Sequence, residues 1–530
     1  MNDSTHATAR AATTLSGLAL LSPLVGMAVE MALAWRFGAS PTVDAFRIGS
    51  VFLLLGQQLL VLQILPHIIV PVFSEYRARA GEQEAWRVAL SLGNVFLLGA
   101  ILFALVVCFR PETIVWMFAA GLTGEARHAA IVFIRWFALA YVPLLVSGVA
   151  TGILYVHGVF WLPSFAQLLS NVVLALVIVT PSRLPGVTSL AGGLLLASIL
   201  GAAIHVVRVY PLLRSAGAQL PLRLNLGHAG VKTGLALAAP MLGVFLVGQW
   251  GPIVVNRVLS DMPLGTLSTF GYAFKMGLLV SLAPISLATV LFPKFAEGKL
   301  GAEEEFRALC TRGLRMGVFL AMPLTACAIV FRGTLVALLF VRGAFSSQAA
   351  EGVALLFGML VLGAPAASAA VFLEKMFYAA KQAWIPTWVR CGSMVLLTLL
   401  AARAARQGAP GVAMLLTLVA WSSAAALFTI LVLRNQAFAV SEMVSFVAQI
   451  SLLSAVSAWT GGEVGRWLGR AIEVPLLSMG LEVAAGVAAA SSLFFIGAAV
   501  LKVPEAVDCT RFLRWQGNAL VRWVQGGVRG

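Results

Sequence analysis

Long apolar stretches separated by short polar segments recur from one end of the 530-residue chain to the other. A helix needs about 20 apolar residues to cross the roughly 30 Å hydrocarbon core of a bilayer, and these stretches reach that length. Dividing the chain at its charged residues, prolines and glycines predicts fourteen membrane-spanning helices. Their predicted ranges are 11–35, 43–74, 86–109, 129–156, 162–181, 187–208, 231–257, 264–292, 308–331, 348–378, 386–405, 411–433, 441–461 and 476–501.

The apolar stretches are continuous, whereas the strands of a membrane barrel alternate apolar and polar residues. Hydrophobic residues make up 60% of the chain and charged residues 11%. In lipid, the backbone N–H and C=O groups must find their partners within each segment, and a helix satisfies this condition. The predicted fold class is therefore all-α: a polytopic membrane protein of about 14 helices.

The formal net charge is +15, but the 36 Lys and Arg residues are scattered and form no long basic block. Charge of this kind is typical of cytoplasmic loops, so we predict contact with membrane lipids and no nucleic-acid partner. If the N-terminus is cytoplasmic, the inner loops hold more Lys and Arg than the outer loops. This bias predicts that both termini are cytoplasmic.

The two halves of the chain resemble each other. Residues 71–75 (PVFSE) end the second predicted span, and residues 293–297 (PKFAE) end the eighth. Pro23 and Pro240 lie at similar offsets in the first and seventh spans. A repeated six-helix unit with substrate bound between its halves is a transporter architecture, so we predict two pseudo-symmetric lobes around a central cavity, plus two C-terminal helices. The predicted domains are 1–225 (helices 1–6), 226–440 (helices 7–12), 441–503 (helices 13–14) and 504–530 (a cytoplasmic amphipathic tail).

The C-terminal tail mixes cations with bulky aromatic residues. Arg511 and Arg514 precede Trp515, and Arg522 precedes Trp523. Aromatic rings favour headgroup depth and arginines favour anionic lipid. We predict that the tail lies on the cytoplasmic membrane surface.

Lys275 is the most informative ionisable residue within a span, because it lies deep in the eighth one between two apolar residues. An intramembrane charge is costly unless it faces a cavity or a partner, so it marks a candidate functional site. We predict that Lys275 faces a cavity and contacts an anion. Glu30 in the first span, together with Glu374 and Lys375 in the tenth, are candidate counter-charges.

The second span carries four further candidates for a substrate-binding cavity: Asp44 and Arg47 at its start, then Gln57 and Gln58. For the glutamines, two interpretations stay open. They line a cavity, or they form hydrogen bonds between helices, as small polar groups in bundles often do.

Three other polar residues receive ordinary interpretations. His205 and Arg208 are predicted to lie at the cytoplasmic end of the sixth span, and Asn171 is predicted to bridge helices.

The sequence contains no recognisable constellation for catalysis. No nucleophile stands in a pattern with a base, and no phosphate-binding loop is present. The five cysteines are scattered, without a CxxC or Cys/His cluster, so no metal site or disulfide is predicted. We expect a transporter rather than an enzyme, without a cofactor, coupled to the membrane potential or to a monovalent ion.

Several short stretches, taken in order, form a recognisable pattern. They are 35–40 (WRFGAS), 44–46 (DAF), 70–76 (VPVFSEY), 343–346 (GAFS) and 377–382 (FYAAKQ), the last leading to Pro386. In these stretches the chain resembles the MurJ/MviN family of lipid II flippases, within the multidrug/oligosaccharidyl-lipid/polysaccharide (MOP) exporter superfamily. The resemblance extends over residues 11–500, and the succession of fourteen spans agrees with it.

The resemblance implies a flippase of the bacterial inner membrane that moves an undecaprenyl-pyrophosphate-linked saccharide to the outer leaflet by alternating access. It also implies a cationic central cavity with arginines on spans one, two and eight. By the surrounding motifs, the span-one arginines fall on Pro23 and Val29, and the span-two arginine falls on Gln57. The span-eight cation is kept as Lys275. The family's acid at the start of span two is kept as Asp44.

These departures predict weaker capture of pyrophosphate, because a glutamine cannot replace the bidentate donors of an arginine. A divergent relative that carries another cell-envelope glycan precursor fits this pattern. Two alternatives stay open: an ion-coupled antiporter of small solutes, and a non-transporting membrane scaffold for envelope assembly. We expect a monomer, with a glycan synthase or polymerase as candidate protein partner.

Overall fold

The computed structural model describes residues 21–180, 186–217, 225–298, 303–434 and 440–507. Within these ranges the chain is helical and contains no strand. The predicted amphipathic tail after residue 507, and residues 11–20 of the first predicted span, lie outside the described residues.

The described helices are numbered α1 to α18 in chain order, with a π-helical turn between α2 and α3. Their bounds are α1 (21–37), α2 (Pro41–Gln57), the π-helical turn (Gln58–Gln63), α3 (Leu65–Ala80), α4 (Glu82–Phe109), α5 (Pro111–Ala119), α6 (Gly124–Val156), α7 (Trp161–Val179), α8 (Gly186–Ser215), α9 (Ala229–Leu259), α10 (Thr266–Gly298), α11 (Glu303–Val330), α12 (Arg332–Phe340), α13 (Ser347–Val361), α14 (Ala364–Ala379), α15 (Trp384–Ala405), α16 (Gly408–Arg434), α17 (Val440–Gly469) and α18 (Pro475–Val500).

Among the described residues, thirteen helical segments are long and apolar enough to cross a membrane. Together with α1, which lies where the first span was predicted, they match the fourteen predicted spans in order. The prediction of an all-α polytopic membrane protein is confirmed.

The two halves of the chain repeat the same order of elements. α4 has 28 residues and is followed by the nine-residue α5, and α11 has 28 residues and is followed by the nine-residue α12. The next pair also corresponds, because α7 begins with Trp161 two residues before Pro163, and α15 begins with Trp384 two residues before Pro386. A proline in the first turn suits a helix start, since its missing N–H has no partner there anyway. The element order supports the predicted internal repeat.

Among the described spans, two are interrupted, and prolines account for the breaks. The second span changes from α2 to a π-helical turn and resumes as α3, with Pro66 in its first turn. The tenth breaks before α14, whose first turn holds Pro365. A proline cannot donate to the preceding turn, so it ends one hydrogen-bond ladder and begins the next.

The chain forms two compact units. The first contains Met1–Tyr272 with Arg342–Ser346, and the second contains Ala273–Val341 with Ser347–Gly530. The division therefore falls within α10, while the predicted boundary at residue 225 follows the repeat. α9 belongs to the first unit because it packs against α3, α4 and α5. The predicted lobes around a central cavity stay a prediction.

Each unit has its own apolar core. In the first, Phe73, Trp86 and Ile153 pack together from α3, α4 and α6. In the second, Phe319 of α11 packs against Phe494 of α18, with ring centroids 4.9 Å apart. Burial of apolar area at these helix contacts, together with close packing, holds each unit together.

Candidate functional site

Asp44 lies in the first turn of α2, where Pro41 and the Ser40 cap start the helix. The residue is 1% exposed, and its carboxylate accepts hydrogen bonds from the backbone N–H of Gly265 at 2.5 Å and of Ser268 at 2.7 Å. The hydroxyl of Ser268 donates to the same carboxylate. These donors belong to the start of α10, so Asp44 caps that helix from a distant part of the chain.

Arg47 follows Asp44 by three residues on α2 and forms a two-pronged ion pair with Glu30 of α1. Its Nη1 lies 2.9 Å from one carboxylate oxygen and its Nη2 lies 2.5 Å from the other. The Tyr272 ring centroid is 4.7 Å from the guanidinium carbon, which is a cation–π contact. Gly271 of α10 leaves the space that this guanidinium occupies, since a Cβ there would collide with it.

The structure therefore brings three of the predicted cavity residues together, and all three have partners. Glu30, Asp44 and Arg47 form one polar cluster in the first unit, and we call it the ionic cluster. A buried guanidinium paired with a buried carboxylate is neutral as a unit, so it offers little net charge to a ligand. Their role as substrate-binding residues stays a prediction.

Lys275 lies half-buried in α10, in the second unit, one helical turn after Gly271. Its neighbours Phe274 and Leu278 are 44% and 51% exposed. Across the described ranges, no carboxylate forms a salt bridge with Lys275.

The candidate counter-charges have other partners. Glu30 pairs with Arg47, and Glu374 accepts from Arg390 Nη2 at 3.0 and 3.2 Å. Lys375 lies over the Phe292 ring, with its Nζ 5.1 Å from the ring centroid. Both acids are thus neutralised by arginines in contact with them, because an arginine matches the two carboxylate oxygens with two donors.

Gln57 and Gln58 are adjacent, but they point to different helices. The amide of Gln57 donates to Gln167 of α7, while Oε1 of Gln58 accepts from Gln249 of α9 at 3.1 Å. α2 ends at Gln57, and the π-helical turn begins at Gln58. Of the two open interpretations, hydrogen bonding between helices applies to both glutamines, and cavity lining applies to Gln57 as well.

Gln57 lines a cavity of about 110 Å³ inside the first unit, which we call the amide pocket. Helices α2, α6, α7 and α8 enclose it, together with Val61 of the π-helical turn. Its polar lining consists of Gln57, Ser147, Gln167, Ser170, Asn171, Ser198 and His205.

His205 received an ordinary interpretation from the sequence, and the structure places it in the lining of this pocket. α8 continues to Ser215, and His205 is only 2% exposed. Its predicted place at the cytoplasmic end of the sixth span stays a prediction. Its Nδ1 lies 2.7 Å from the carbonyl oxygen of Gly201, and its Nε2 lies 3.4 Å from the hydroxyl of Thr151. Asn171, predicted to bridge helices, lines the same pocket.

A signal for this pocket was present in the spacing. Gln167, Ser170 and Asn171 recur at helical intervals within an apolar span, and so do Ser198 and His205 on the next span. Residues three or four apart share a helix face, and seven apart makes two turns. Polar faces on two successive spans together predict a polar pocket between those spans. No single one of these residues predicts it alone.

At the positions where the resemblance placed arginines, the structure has apolar or amide side chains. Val29 is 7% exposed, and Pro23 is partly buried in α1. Gln57 lies in the amide pocket. The cationic character of these positions is therefore absent, and Lys275 alone keeps a charge there.

A model of the lipid II flippase MurJ family matches residues 33–468. A lipid II flippase MurJ from Burkholderia cenocepacia is 27% identical over 401 residues, which cover 74% of this chain and 77% of that relative. Among solved structures, a lipid II flippase MurJ in an inward closed conformation is 18% identical with a TM-score of 0.77, over 92% of this chain and 99% of that one. An inward-facing multidrug resistance MATE transporter of the MOP superfamily has a TM-score of 0.65 at 14% identity, and the match covers 80% of this chain and 98% of that one. The chain belongs to the lipid II flippase MurJ family.

Proposed function

We propose that this protein is a flippase that moves an undecaprenyl-pyrophosphate-linked saccharide across the bacterial inner membrane, from the cytoplasmic to the outer leaflet. The family match over residues 33–468 carries this proposal. The thirteen described segments that can span a membrane support it, because a lipid-linked substrate has to be reached from within the bilayer. Both termini are cytoplasmic in this proposal, and the protein works by alternating access of its two lobes.

Lys275 is the residue that we assign to the pyrophosphate. An ammonium group in a low-dielectric span attracts an anion strongly when no fixed carboxylate neutralises it. Lys275 meets this condition among the described residues, whereas the charge of Arg47 is already matched by Glu30. The substrate of this chain is held by fewer cations than a cavity with several arginines would supply. A glycan precursor other than lipid II fits that weaker anion capture.

The antiporter alternative has less support. A cavity for cationic solutes needs uncommitted carboxylates, but Asp44 caps α10 and Glu30 pairs with Arg47. Likeness to a MATE transporter at 14% identity concerns the fold alone. The scaffold alternative makes a different prediction, namely that the folded protein does not flip any lipid.

The test is a flipping assay in proteoliposomes. It compares two fluorescent substrates in parallel: an undecaprenyl-pyrophosphate disaccharide other than lipid II, and lipid II itself. The outer-leaflet fraction of each substrate is read by a membrane-impermeant quencher. We expect the wild-type protein to flip the first substrate and Lys275→Ala to reduce the rate by about tenfold or more, since one lost charge contact is worth at least 1.4 kcal/mol. Lys275→Arg should retain part of the rate.

Lys232→Ala, which removes an exposed lysine of α9, is the control and should flip as the wild type does. Normal flipping by Lys275→Ala would remove Lys275 from the proposal. A folded wild-type protein that flips neither substrate would reject the flippase function and favour the scaffold. Equal rates on both substrates would reject a preference for another glycan.

A further inference from the structure

The amide pocket has no part in the function proposed so far. Seven polar side chains line it, and the described hydrogen bonds satisfy only some of their donors and acceptors. Ser170 donates to the carbonyl oxygens of Ala166 and Ala197, and Ser198 donates to that of Leu194. These hydroxyls are satisfied by the helices themselves. Polar groups that stay uncommitted inside a span are costly, so they indicate a ligand or water.

The amides keep spare capacity after their mutual contact. Each carboxamide offers two donors and two acceptor lone pairs, and the bond from Gln57 to Gln167 uses one donor and one lone pair. Asn171 adds a third amide to the lining. Since a water molecule occupies about 30 Å³, a polar cavity of this size has room for roughly three waters. The pocket is therefore suited to a short hydrogen-bonded chain.

The backbone around the pocket is irregular where it meets Gln57. The π-helical turn starts at the next residue, and Gly148 of α6 lies directly against the carbonyl oxygen of Leu60 within that turn. The Tyr141 hydroxyl donates to the carbonyl oxygen of Phe52 at 2.8 Å. Single π-helical turns occur frequently at functional sites because they displace one side chain from the regular helix register. Gln57, the last residue of α2, lines the pocket, and Gln58, the first residue of the turn, does not.

His205 is the one titratable side chain in the described lining of the pocket. Its Nδ1 lies at hydrogen-bond distance from the carbonyl of Gly201, which cannot donate, so that nitrogen carries the proton. In the neutral ring, Nε2 then holds a free lone pair. That lone pair lies 3.4 Å from the Thr151 hydroxyl, a long contact that leaves it open to a shorter partner.

Among the described residues that line the pocket, none carries a fixed charge that would hold His205 in one state. From α2, α6 and α7, the facing lining groups are Gln57, Ser147, Gln167 and Asn171, all neutral. On α8 itself, Arg208 is exposed. On α6, the first titratable residue after Thr151 is Tyr155, whose ring packs on Phe160.

We propose that the amide pocket is a hydrated proton-binding site, and that His205 Nε2 takes up the proton that couples to transport. This inference rests on the proposed flippase function and names its coupling ion. The lone pair of Nε2 forms a bond to a proton delivered by a hydronium ion, which leaves as water, and Nδ1 keeps its own proton. The resulting imidazolium donates from Nε2 to a pocket water, whose chain ends on the amide oxygens. The new positive charge lies within a span, so its uptake also responds to the membrane potential.

The experiment uses the full-length protein in proteoliposomes with an imposed pH gradient, while valinomycin and potassium hold the membrane potential at zero. We expect the flipping rate of the wild type to rise with the gradient in one direction, by up to about tenfold per pH unit for a single coupled proton. His205→Asn keeps a donor for the Gly201 carbonyl but has no titratable nitrogen. Its flipping rate, taken relative to its own rate without a gradient, should show no acceleration when the gradient is imposed.

His128→Asn removes an exposed histidine of α6 and should respond to the gradient as the wild type does. If His205→Asn does not fold, Thr151→Val is the second variant. It removes the hydroxyl beside Nε2 and should shift the pH of half-maximal acceleration. Acceleration of His205→Asn equal to that of the wild type, or an unchanged midpoint in Thr151→Val, overturns the proposal. A wild type that flips but ignores the gradient overturns it too, whereas a wild type that does not flip at all refutes the flippase function instead.

Discussion

The ionic cluster and the amide pocket lie in the same compact unit, and they use their polar atoms in opposite ways. In the ionic cluster, Asp44 accepts three hydrogen bonds and Glu30 binds Arg47 through both of its oxygens. In the amide pocket, Gln57 and Asn171 line about 110 Å³ of open space and keep unused donors and acceptors. One cluster is committed to the fold, and the other has capacity left for a ligand.

The difference follows from charge. A carboxylate or guanidinium buried in a helix bundle carries a desolvation penalty that only a close, fixed partner offsets. A neutral amide or hydroxyl carries a smaller penalty, so it can stay partly unpaired if water reaches it. Strong charges inside a span therefore indicate function only where no partner is present. Arg47 has a partner, and Lys275 has no acidic one among the described residues.

The largest expected effect on stability is that of Arg47→Met. This substitution leaves the Glu30 carboxylate buried without its cation, which should lower the free energy of unfolding by about 3–5 kcal/mol. Unfolding of the purified protein in detergent, followed by intrinsic fluorescence, measures the loss. The double variant Glu30→Gln/Arg47→Met removes both charges and should lose much less. If the double variant is as unstable as Arg47→Met, the ion pair is not what stabilises this region.

A smaller effect is expected at the cap of α10. Asp44→Ala leaves the first N–H groups of that helix without an acceptor and should cost about 1–2 kcal/mol of stability. Asp44→Asn keeps one acceptor oxygen and should retain most of the stability and of the flipping rate. A variant Asp44→Asn that is fully stable but inactive would show instead that Asp44 contacts the substrate, as the sequence predicts.

The smallest effect is expected in the amide pocket. Gln167→Leu removes the partner of Gln57, and a hydrogen bond between helices in a membrane is worth about 0.6 kcal/mol on average. Gln249→Leu removes the partner of Gln58 outside the pocket and is the matched control. Both should unfold close to the wild type in the same detergent assay. A loss from Gln167→Leu as large as that from Arg47→Met would mean that the pocket, too, is part of the stabilising framework.

Much of the fold could be predicted because lipid restricts the alternatives. A span of about 20 apolar residues has to be helical, so the order of fourteen spans followed from hydropathy alone. The internal repeat was visible from the paired proline motifs, and the matching lengths of α4 with α5 and of α11 with α12 agree with it. Such patterns depend on local composition, which the sequence states directly.

The candidate site was predicted less completely. Asp44, Arg47 and Lys275 stood out because charged residues are rare in apolar spans. The sequence could not say that Glu30 would neutralise Arg47, since these residues lie on different helices. The sequence also could not say that His205 would line the amide pocket, because that depends on how α7 and α8 pack together.

The sequence by itself determined that this is a helical, multi-span membrane protein related to the MurJ family, because hydrophobic length and short motifs are properties of consecutive residues. Only the tertiary structure decided which charged side chains are paired and which polar side chains keep unused donors or acceptors. Hydrogen bonds and ion pairs between helices depend on helix rotation and close approach. Gly148 against the π-helical turn and Gly271 against Arg47 are contacts of that kind, and they exist only after the helices have packed.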